Sequence, residues 1–434
     1  MPWRLELPAS LKGPIDETLP RFARVDGIQV SAGEDGKVGV LWHREVDHRT
    51  LHWDEEIERW RVECSELILD PSEYPRLPDS VLGDRPMEPR ACEVFRPSEY
   101  LGMAVISSDG IEGSAFFDGY PASHGWRDVP DDLAYAEGKW HALLILPDSP
   151  ANSPRNHPAL ISFDSRGWNR PQRIETDDWL AGSRLIPYTG GFDLLWTKYY
   201  LPFLAFPDSG QDRQHLLQAR IRQGVASSPR ALYEFPKLPF TDCYPVPIVR
   251  KSEGIYDLFY RRSGLGGIQL LHVRDVAHNW LGWTEVVHDC TSFRDPLVLP
   301  VTDGKMQVLW FHDAPSSGEA CYPCPRHPTR LWGCHYDDHR WSEPAVIGEG
   351  QSWDPRSAAA AVSAVGEREV VVMVWRGEEG RMIYTAGTGW NGWTEPVVTD
   401  LEIGGQNWLV TAGYDLVLVT QARRNLYWCR LNLH

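Results

Sequence analysis

The chain consists of short apolar runs separated by polar turns, and the clearest example lies within residues 370–398. An apolar run, 370–375, ends in a turn with two glycines, a short run at 382–384 follows, and a glycine-rich turn leads to Trp393. Runs of this length, bounded by Gly, Asn and Pro, are typical of antiparallel strands joined by tight turns. The pattern therefore predicts a meander of three short strands.

The same pattern recurs upstream. Residues 308–346 and 257–286 each contain two apolar runs followed by a Trp, a hydroxyl residue and a Glu, at Trp341 and Trp283. Repeats of about 50 residues, too small to bury their own apolar faces, are typical of β-propellers, in which one four-stranded repeat is one blade. We predict an all-β fold: a single closed propeller domain over residues 1–434, with about eight blades and seven as the alternative.

Turn residues and apolar runs divide the chain into eight predicted blades. They occupy residues 28–69, 90–133, 138–175, 183–235, 241–288, 292–347, 353–398 and 405–434. The last blade stops one strand short, whereas Trp3 to Leu7, within residues 1–11, alternates like a strand and has no partner nearby in sequence. If this N-terminal strand completes the last blade, the ring closes and leaves no sheet edge exposed.

One turn carries a recognisable sequence. Ser162 to Trp168 (SFDSRGW) resembles the Asp-box of sialidase-like propellers with one residue displaced, and the turns before Trp341 and Trp393 match it more loosely. The same combination of turn and Trp is similar to that of tectonin-type and fucose-lectin-type propellers. In those families the box is a structural hairpin, so the resemblance implies the fold and leaves the function open.

The composition disfavours some partners. The chain of 434 residues has 43 Lys and Arg against 60 Asp and Glu, a formal net charge of −17, which argues against binding to nucleic acid or to an anionic membrane. Met1 to Pro8 contains no apolar segment of the secretory kind, and no apolar run approaches the roughly 18 residues that span a bilayer. The eight Cys are scattered, so we expect reduced thiols in a cytoplasmic protein.

Aspartates stand where several innermost strands are predicted to begin. Phe293 to Pro296 (FRDP) resembles the Arg-Asp-Pro signature of five-bladed arabinanase and fructosidase propellers, whose Asp lies at the mouth of the central funnel. Trp353 to Arg356 (WDPR) and Asp242 to Tyr244 (DCY) place an Asp at the same register. Converging carboxylates would suit general acid and base roles, whereas an Asp before a strand also bonds its own backbone in an Asx-turn. The catalytic candidates are Asp242, Asp295 and Asp354, with Arg294 and Arg356.

The candidate substrate-binding residues are aromatic or directly follow an apolar strand. An insertion at 199–212 carries four aromatic rings, Tyr199, Tyr200, Phe203 and Phe206, close to Trp196. It would project from one rim of the propeller, or its rings form a small packing cluster beneath a long loop. The full set is Trp196, Tyr199, Tyr200, Phe203, Tyr244, Phe293, His312, Trp353, Arg376 and Trp408.

One cysteine-rich stretch has the chemistry of a zinc site. Cys321 and Cys324 have C-x₂-C spacing, and His327 and Cys334 follow. Thiolates and imidazoles together complete a tetrahedral zinc shell, but the second half lacks the spacing of zinc fingers. The alternative is a loop with incidental thiols or a local disulfide, and we expect no metal or other cofactor.

The predicted rim loops differ from blade to blade, which argues against a lectin that repeats one sugar site in every blade. The chain contains no nucleotide loop, flavin fingerprint or haem ligand pair. The leading hypothesis is a cofactor-independent enzyme with one aromatic-lined pocket near the axis, acting on an apolar polycyclic molecule or a sugar. In broad style the chain is similar to lectin-like propellers that act as cyclases, including hetero-Diels–Alderases, in fungal natural-product pathways. The alternatives are a glycan-binding lectin or glycoside-processing propeller, and a protein-interaction scaffold.

Overall fold

The apolar runs form antiparallel strands in the structure, which is a computed structural model. It describes residues 3–17, 19, 23–46, 51–54, 59–62, 67–69, 101–117, 132–147, 156–164, 167–169, 171–174, 180–188, 190–198, 215–222, 225–234, 245–252, 255–264, 267–276, 279–280, 284–287, 296–301, 305–313, 329–337, 339–350, 352–388 and 392–434. Within these ranges no α-helix occurs, and Glu34–Gly36 and Glu378–Gly380 are single 3₁₀ turns. None of the helical segments among them is long and apolar enough to cross a bilayer.

The N-terminal part of the chain forms strand β1 and most of blade 1. These strands are β1 (Leu5–Glu6), β2 (Ala23–Ala32), β3 (Val38–Val46), β4 (Leu51–Asp54), β5 (Arg59–Val62), β6 (Leu67–Leu69), β7 (Leu101–Ile106) and β8 (Ile111–Phe117). Blade 1 has the order β2-β3-β7-β8, and β4, β5 and β6 form a separate three-stranded sheet.

Blades 2 to 4 each add a short fifth strand to the four-stranded pattern. Blade 2 comprises β9 (Asp132–Ala136), β10 (Lys139–Pro147), β11 (Asn156–Asp164), β12 (Gly167–Trp168) and β13 (Gln172–Arg173). Blade 3 comprises β14 (Leu180–Tyr188), β15 (Gly191–Lys198), β16 (His215–Arg222), β17 (Val225–Ala226) and β18 (Arg230–Glu234). Blade 4 comprises β19 (Pro245–Ser252), β20 (Ile255–Gly264), β21 (Gly267–Val276), β22 (Asn279–Trp280) and β23 (Thr284–Val287).

Blades 5 to 7 are regular four-stranded sheets. Blade 5 comprises β24 (Leu297–Pro300), β25 (Met306–Asp313), β26 (Thr329–Tyr336) and β27 (Ala345–Gly350). Blade 6 comprises β28 (Asp354–Val365), β29 (Arg368–Arg376), β30 (Arg381–Gly387) and β31 (Val397–Glu402). Blade 7 comprises β32 (Gln406–Ala412), β33 (Asp415–Ala422), β34 (Asn425–Leu433) and β1.

The innermost strands close into a ring. Each of β2, β9, β14, β19, β24, β28 and β32 contacts the next innermost strand, and β32 contacts β2. Strand β1 completes blade 7 by pairing with β34, Leu5 opposite Leu433 and Glu6 opposite Asn432. The predicted closed propeller and the predicted N-terminal closing strand are therefore confirmed, and the structure has seven blades, the lower of the two expected numbers.

The difference between eight and seven lies in the first two predicted blades. Ranges 28–69 and 90–133 both contribute strands to blade 1, because β3 pairs with β7 rather than with β4. Strand β7 is apolar and almost entirely buried, so it occupies a position between two blade faces. The segments of β4 and β5 (LHWD and RWRV) alternate apolar and charged residues and pair with each other as a small sheet inserted into blade 1.

Large apolar side chains fill the spaces between blades. Trp42, Trp196, Trp375 and Trp428 are among the largest fully buried side chains. Successive residues of a strand point to opposite faces, so each blade packs one set of side chains against the preceding blade and the other set against the following blade. The core is consequently a ring of seven inter-blade layers.

One face of the ring, which we call the mouth face, is where innermost strands begin and second strands end. Asp354 lies opposite Arg376 there, and Ala23 lies opposite Val46. The five connections longer than ten residues all leave or reach strands at this face; they span 7–22, 47–100 (with β4 to β6 inside), 118–131, 199–214 and 314–328. Propeller ligand sites depend on such connections, so the mouth face is where a site is expected.

The Asp-box-like turns lie at the opposite face, in hairpins between third and fourth strands. Asp164 ends β11 and pairs with Lys139 at 3.3 Å. In blade 5, Asp337 Oδ1 accepts hydrogen bonds from the backbone N–H groups of His339 (3.0 Å) and Arg340 (2.9 Å). These aspartates shape or brace hairpins and lie away from the mouth face.

Candidate functional site

Polar residues follow the buried aromatic of the second strand at the rim of the mouth face. They are His43 in blade 1, His312 in blade 5 and Arg376 in blade 6. The facing positions on the innermost strands are Asp26 opposite His43, Asp354 opposite Arg376, and Asn407 opposite Thr420 in blade 7. An Asp thus faces a basic residue in blades 1 and 6, whereas blade 7 has a neutral pair, so the described blades do not all share one constellation.

Asp354 is half-buried at the start of β28, and its carboxylate is held by its own turn. Its Oδ1 accepts a hydrogen bond from the Arg356 backbone N–H at 3.2 Å, and the Ser357 hydroxyl donates to the Asp354 carbonyl at 2.6 Å. The Asx-turn interpretation therefore holds for one carboxylate oxygen of Asp354. The turn also fixes the side chain at the rim, where the second oxygen makes no hydrogen bond with any described residue.

Arg376 is the neighbour of Asp354 on the facing strand. Its backbone N–H donates to Ser357 Oγ at 2.7 Å, and the side chain is half-buried. The guanidinium lies against Gly380, where a Cβ would sit 3.5 Å from both Nε and Nη2. Its Nε is buried without a hydrogen-bond partner among the described residues.

Asn407 connects this rim to blade 7. It is buried, and its amide Nδ2 donates to the Ser357 carbonyl at 2.7 Å and to the Gly404 carbonyl at 3.3 Å. Strand alternation places Asn407 on the same face of β32 as Leu409, and Arg376 on the same face of β29 as Val374; Leu409 and Val374 belong to one apolar cluster. Arg376 and Asn407 therefore both project into the interface between blades 6 and 7, which we call the 6–7 seam.

A cleft of about 490 Å³ opens along the outer part of the same seam. Its walls include Ser10, Asp400, Glu402, Ile403, Arg423 and Tyr427. Ile403 separates it from the rim, since its backbone N–H donates to the Gly380 carbonyl at 2.9 Å. The rim residues and the cleft thus lie next to each other along the 6–7 seam. The walls of the cleft offer aromatic, cationic and anionic groups to a polar ligand.

The structure describes four further predicted substrate-binding residues. Some of them pack against neighbouring side chains, and others are half-buried near the rim. Trp353 is half-buried, with its ring centroid 4.9 Å from Trp375 and 6.1 Å from Phe311. Trp408 packs against the cluster between blades 7 and 1, and His312 is half-buried near the end of β25. Trp196 corrects the prediction: it is fully buried between blades 2 and 3, because strand alternation turns it into the core.

Many predicted site residues fall outside the described residues, and their roles remain predictions from the sequence. They are Asp242, Tyr244, Phe293, Arg294, Asp295, Tyr199, Tyr200, Phe203, Cys321, Cys324 and His327. Cys334, the described member of the zinc candidate, is buried in the apolar cluster between blades 4 and 5. Burial raises the pKa of its thiol, which disfavours the thiolate that zinc requires. The described part of the chain contains no group of three metal-ligating side chains.

Sequence reasoning missed a buried polar cluster in blade 4 that has the residue types of a catalytic site. His272 Nε2 lies 2.7 Å from Asp257 Oδ1, and Arg274 reaches both Asp257 oxygens, at 2.7 and 3.1 Å. His272 Nδ1 accepts a hydrogen bond from the Trp341 indole of blade 5 at 3.2 Å. Burial would raise the pKa of Asp257, but the hydrogen bonds from His272 and Arg274 lower it overall. Both ring nitrogens are occupied inside the protein, so the cluster joins blades 4 and 5.

A similar cluster in blade 3 indicates that the polar cluster of blade 4 has a structural role. Asp193 lies opposite Arg220 on the neighbouring strand and accepts from its Nε at 3.2 Å, just as Asp257 lies opposite Arg274. Tyr256 of blade 4 donates its hydroxyl to Asp193 and accepts from Gln218 Nε2 at 2.9 Å. The signal in the sequence is an Asp on a second strand paired with an Arg on the third.

Comparisons with known proteins show similarity of fold. No family matches the sequence, and no curated protein matches it. The solved structure of polysaccharide lyase Uly1 is similar with a TM-score of 0.52 at 8% identity, over 93% of this chain and 89% of that chain. A protein of unknown function from Dyadobacter fermentans covers 96% of both chains with a TM-score of 0.43 at 9% identity. A GH43 β-xylosidase/α-arabinofuranosidase from a compost metagenome, solved with xylotriose, gives 0.32 at 9% identity over 60% of this chain and 92% of that chain.

Proposed function

We propose that this protein is a glycan-processing enzyme with one site at the mouth face, centred on the rim of blade 6. The observation that carries the proposal is the rim of blade 6, where Asp354 and the half-buried Arg376 stand opposite each other; blade 1 has Asp26 opposite His43 there, and blade 7 has Asn407 opposite Thr420. A lectin that binds one sugar per blade would repeat its constellation. A single asymmetric site suits the recognition of one bond in a chain.

The similarity to polysaccharide lyase Uly1 over most of both chains supports the substrate class. It does so as an analogy of fold, because propellers host many activities. The residues of the site must therefore carry the mechanism by themselves.

Asp354 is the proposed general acid or base. Its turn holds one carboxylate oxygen and leaves the other oriented at the rim, within a half-buried position. A positioned carboxylate that transfers a proton in the transition state contributes about 10²- to 10⁴-fold to the rate. Asp242 and Asp295 stay the predicted partners for a second carboxylate.

The leading hypothesis from the sequence, an enzyme of the cyclase type with an aromatic-lined pocket, has less support among the described residues. Trp196 belongs to the core, and Trp353 beside the rim of blade 6 packs on Trp375 and Phe311, whereas Asp354, Arg376 and Asn407 supply polar groups there. Polar groups at the rim favour a polar, hydroxyl-rich substrate.

The test is incubation of the purified protein with a panel of neutral and acidic polysaccharides, following new reducing ends and the ultraviolet absorbance of unsaturated sugars. Asp354→Asn should lower turnover by about 100-fold or more with an unchanged melting temperature, because Asn can still accept the Arg356 N–H. Asp109→Asn, at an exposed turn on the opposite face, is the matched control. If Asp354→Asn lost folding stability and activity to the same extent, Asp354 would act only in stabilising the turn. Failure to shorten any polysaccharide, together with thermal stabilisation by apolar metabolites, would overturn the proposal.

A further inference from the structure

We propose that Arg376 binds a carboxylate of the substrate, so that the glycan processed at this site is an acidic one built from uronate-type sugars. This inference rests on the proposed function and adds the substrate class. It comes from the unusual state of the Arg376 guanidinium.

Arg376 contrasts with the other arginines of the blade strands. Described arginines on third strands have side-chain partners: Arg220 with Asp193 (3.2 Å), Arg274 with Asp257 (2.7 Å), Arg330 with Glu349 (2.6 Å), Arg430 with Asp415 (3.0 Å) and Arg222 with the Tyr188 hydroxyl (3.2 Å). Arg376 makes no side-chain hydrogen bond or ion pair with any residue that the structure describes. In a chain with 60 acidic and 43 basic residues, an unpaired half-buried arginine stands out.

No described acidic residue forms an ion pair with Arg376, neither Asp354 on the facing strand nor Glu378 and Glu379 in the turn that follows it. Asp354 faces Arg376 across the two strands, yet its Oδ1 accepts from the Arg356 backbone and it forms no ion pair with Arg376. Glu379, in the turn that follows Arg376, pairs with Arg381 at 3.3 Å. The guanidinium is thus left for a group from outside the described chain.

The surroundings hold Arg376 in place for such a group. Ser357 Oγ accepts from its backbone N–H at 2.7 Å, and Gly380, with φ of +81°, lets the guanidinium lie against the turn backbone. Nε is buried while the residue as a whole is half-buried, and Nη2 lies as close as Nε to the Gly380 turn. A side chain fixed in this way loses little conformational entropy when it binds a ligand.

The chemistry of the guanidinium selects the ligand. Its planar fork donates two parallel hydrogen bonds to a carboxylate, and charge-assisted bonds of this kind are stronger than neutral ones. A neutral glycan would leave the charge of Arg376 desolvated without compensation. An acidic sugar places its carboxylate on Arg376 and its ring beside Asp354, the proposed acid or base.

The experiment compares three probes of equal length by isothermal titration: an oligogalacturonate, a cello-oligosaccharide and a sulfated cello-oligosaccharide. The variants are Arg376→Gln, Arg376→Lys and the control Arg340→Gln, which removes an exposed arginine from a hairpin on the opposite face. The wild type should bind the oligogalacturonate at least tenfold more tightly than the neutral probe. Arg376→Gln should weaken that binding about 10- to 100-fold, Arg376→Lys should weaken it less, and Arg340→Gln should not change it.

The outcomes separate this inference from the proposed function. If the wild type binds and processes neutral glycans, and Arg376→Gln does so equally well, the carboxylate assignment is overturned. The proposed function would still hold. Preference for the sulfated probe would overturn the carboxylate assignment in favour of a sulfate site. The absence of both binding and turnover for every glycan would overturn the proposed function and this inference together.

Discussion

The same residue types serve structure and site in this protein, and their partners distinguish the two uses. Asp257 and His272 are buried and have partners on neighbouring strands and on the next blade, so they stabilise the ring. Asp354 and Arg376 lie half-buried at the rim, and Arg376 lacks a described partner. Burial together with satisfied hydrogen bonds therefore identifies a structural polar group more reliably than residue type does.

At the residue scale, His141 should make stability depend on pH. Burial, with a smaller effect of Lys139, lowers its pKa from 6.5 to about 4, so the unfolded chain binds a proton below pH 6.5 that the folded protein does not accept until about pH 4. Folding free energy is therefore lost as pH falls through this window, by about 2 kcal/mol at pH 5. His141→Gln should show a correspondingly smaller decrease in unfolding free energy between pH 7 and pH 5, measured by urea denaturation.

The control for this prediction is His339→Gln, at an exposed turn, which should keep the wild-type pH dependence. An unchanged pH dependence in His141→Gln would mean that His141 does not hold a depressed pKa in the folded protein.

Close packing at the residue scale is testable at Gly102. A Cβ at this position would lie 2.2 Å from Trp42 Cε2, whereas a Cβ at Gly113 in the neighbouring strand would meet nothing within 4 Å. Gly102→Ala should therefore destabilise the protein by about 2 to 3 kcal/mol through overpacking, and Gly113→Ala should be nearly neutral. Chemical denaturation of both variants checks the difference, and equal effects would contradict the packing of Trp42 on β7.

The sequence predicted part of the candidate site, and physical reasons account for the rest. The rim positions of Asp354 and Arg376 followed from the sequence, because an Asp before an innermost strand and a polar residue after a buried aromatic both fall at one rim. The prediction that Trp196 binds substrate was wrong, since the sequence does not say which face of a strand meets a neighbouring blade. Asn407 was missed because its position beside Ser357 depends on the contact between two blades.

At the element scale, the pairing of β1 with β34 closes the ring. Leu5 is buried in the cluster of the 6–7 seam, whereas Glu6 faces outward. Two further backbone hydrogen bonds, at 3.1 and 2.9 Å, join Arg4 and His434. The pairing covers the outer edge of β34, which would otherwise be open to pairing with another chain.

Leu5→Asp should therefore lower the melting temperature and produce oligomers over time, because a buried carboxylate without a partner weakens the closing strand. Size-exclusion chromatography and thermal melting measure both effects. Glu6→Gln, on the outward face of the same strand, is the matched control and should behave like the wild type. A monomeric Leu5→Asp variant with wild-type stability would show that β1 does not secure the ring.

The sequence predicted strands better than it predicted their grouping into blades. Strong apolar runs such as 370–375 and 416–419 became β29 and part of β33, since local alternation and turn residues define a strand. The eight expected blades became seven because β7 displaced β4 beside β3. That choice depends on how well a strand buries both faces between neighbouring blades, which is a long-range property.

At the scale of the whole molecule, the two faces of the propeller differ. Short hairpins join the strands at one face, and the longest connections join them at the mouth face. The proposed site lies at the mouth face, on the rim of blade 6. A propeller with seven equivalent ligand sites would show the same rim chemistry in every blade.

The number of glycans bound per chain distinguishes a single site from a site in every blade. Isothermal titration of the wild type with the oligosaccharide that it binds best gives the stoichiometry without assumptions about the reaction. We expect one site per chain, abolished or weakened by changes at Asp354 and Arg376. A stoichiometry approaching the seven blades, with equal affinities that are insensitive to those changes, would contradict it and favour a multivalent lectin.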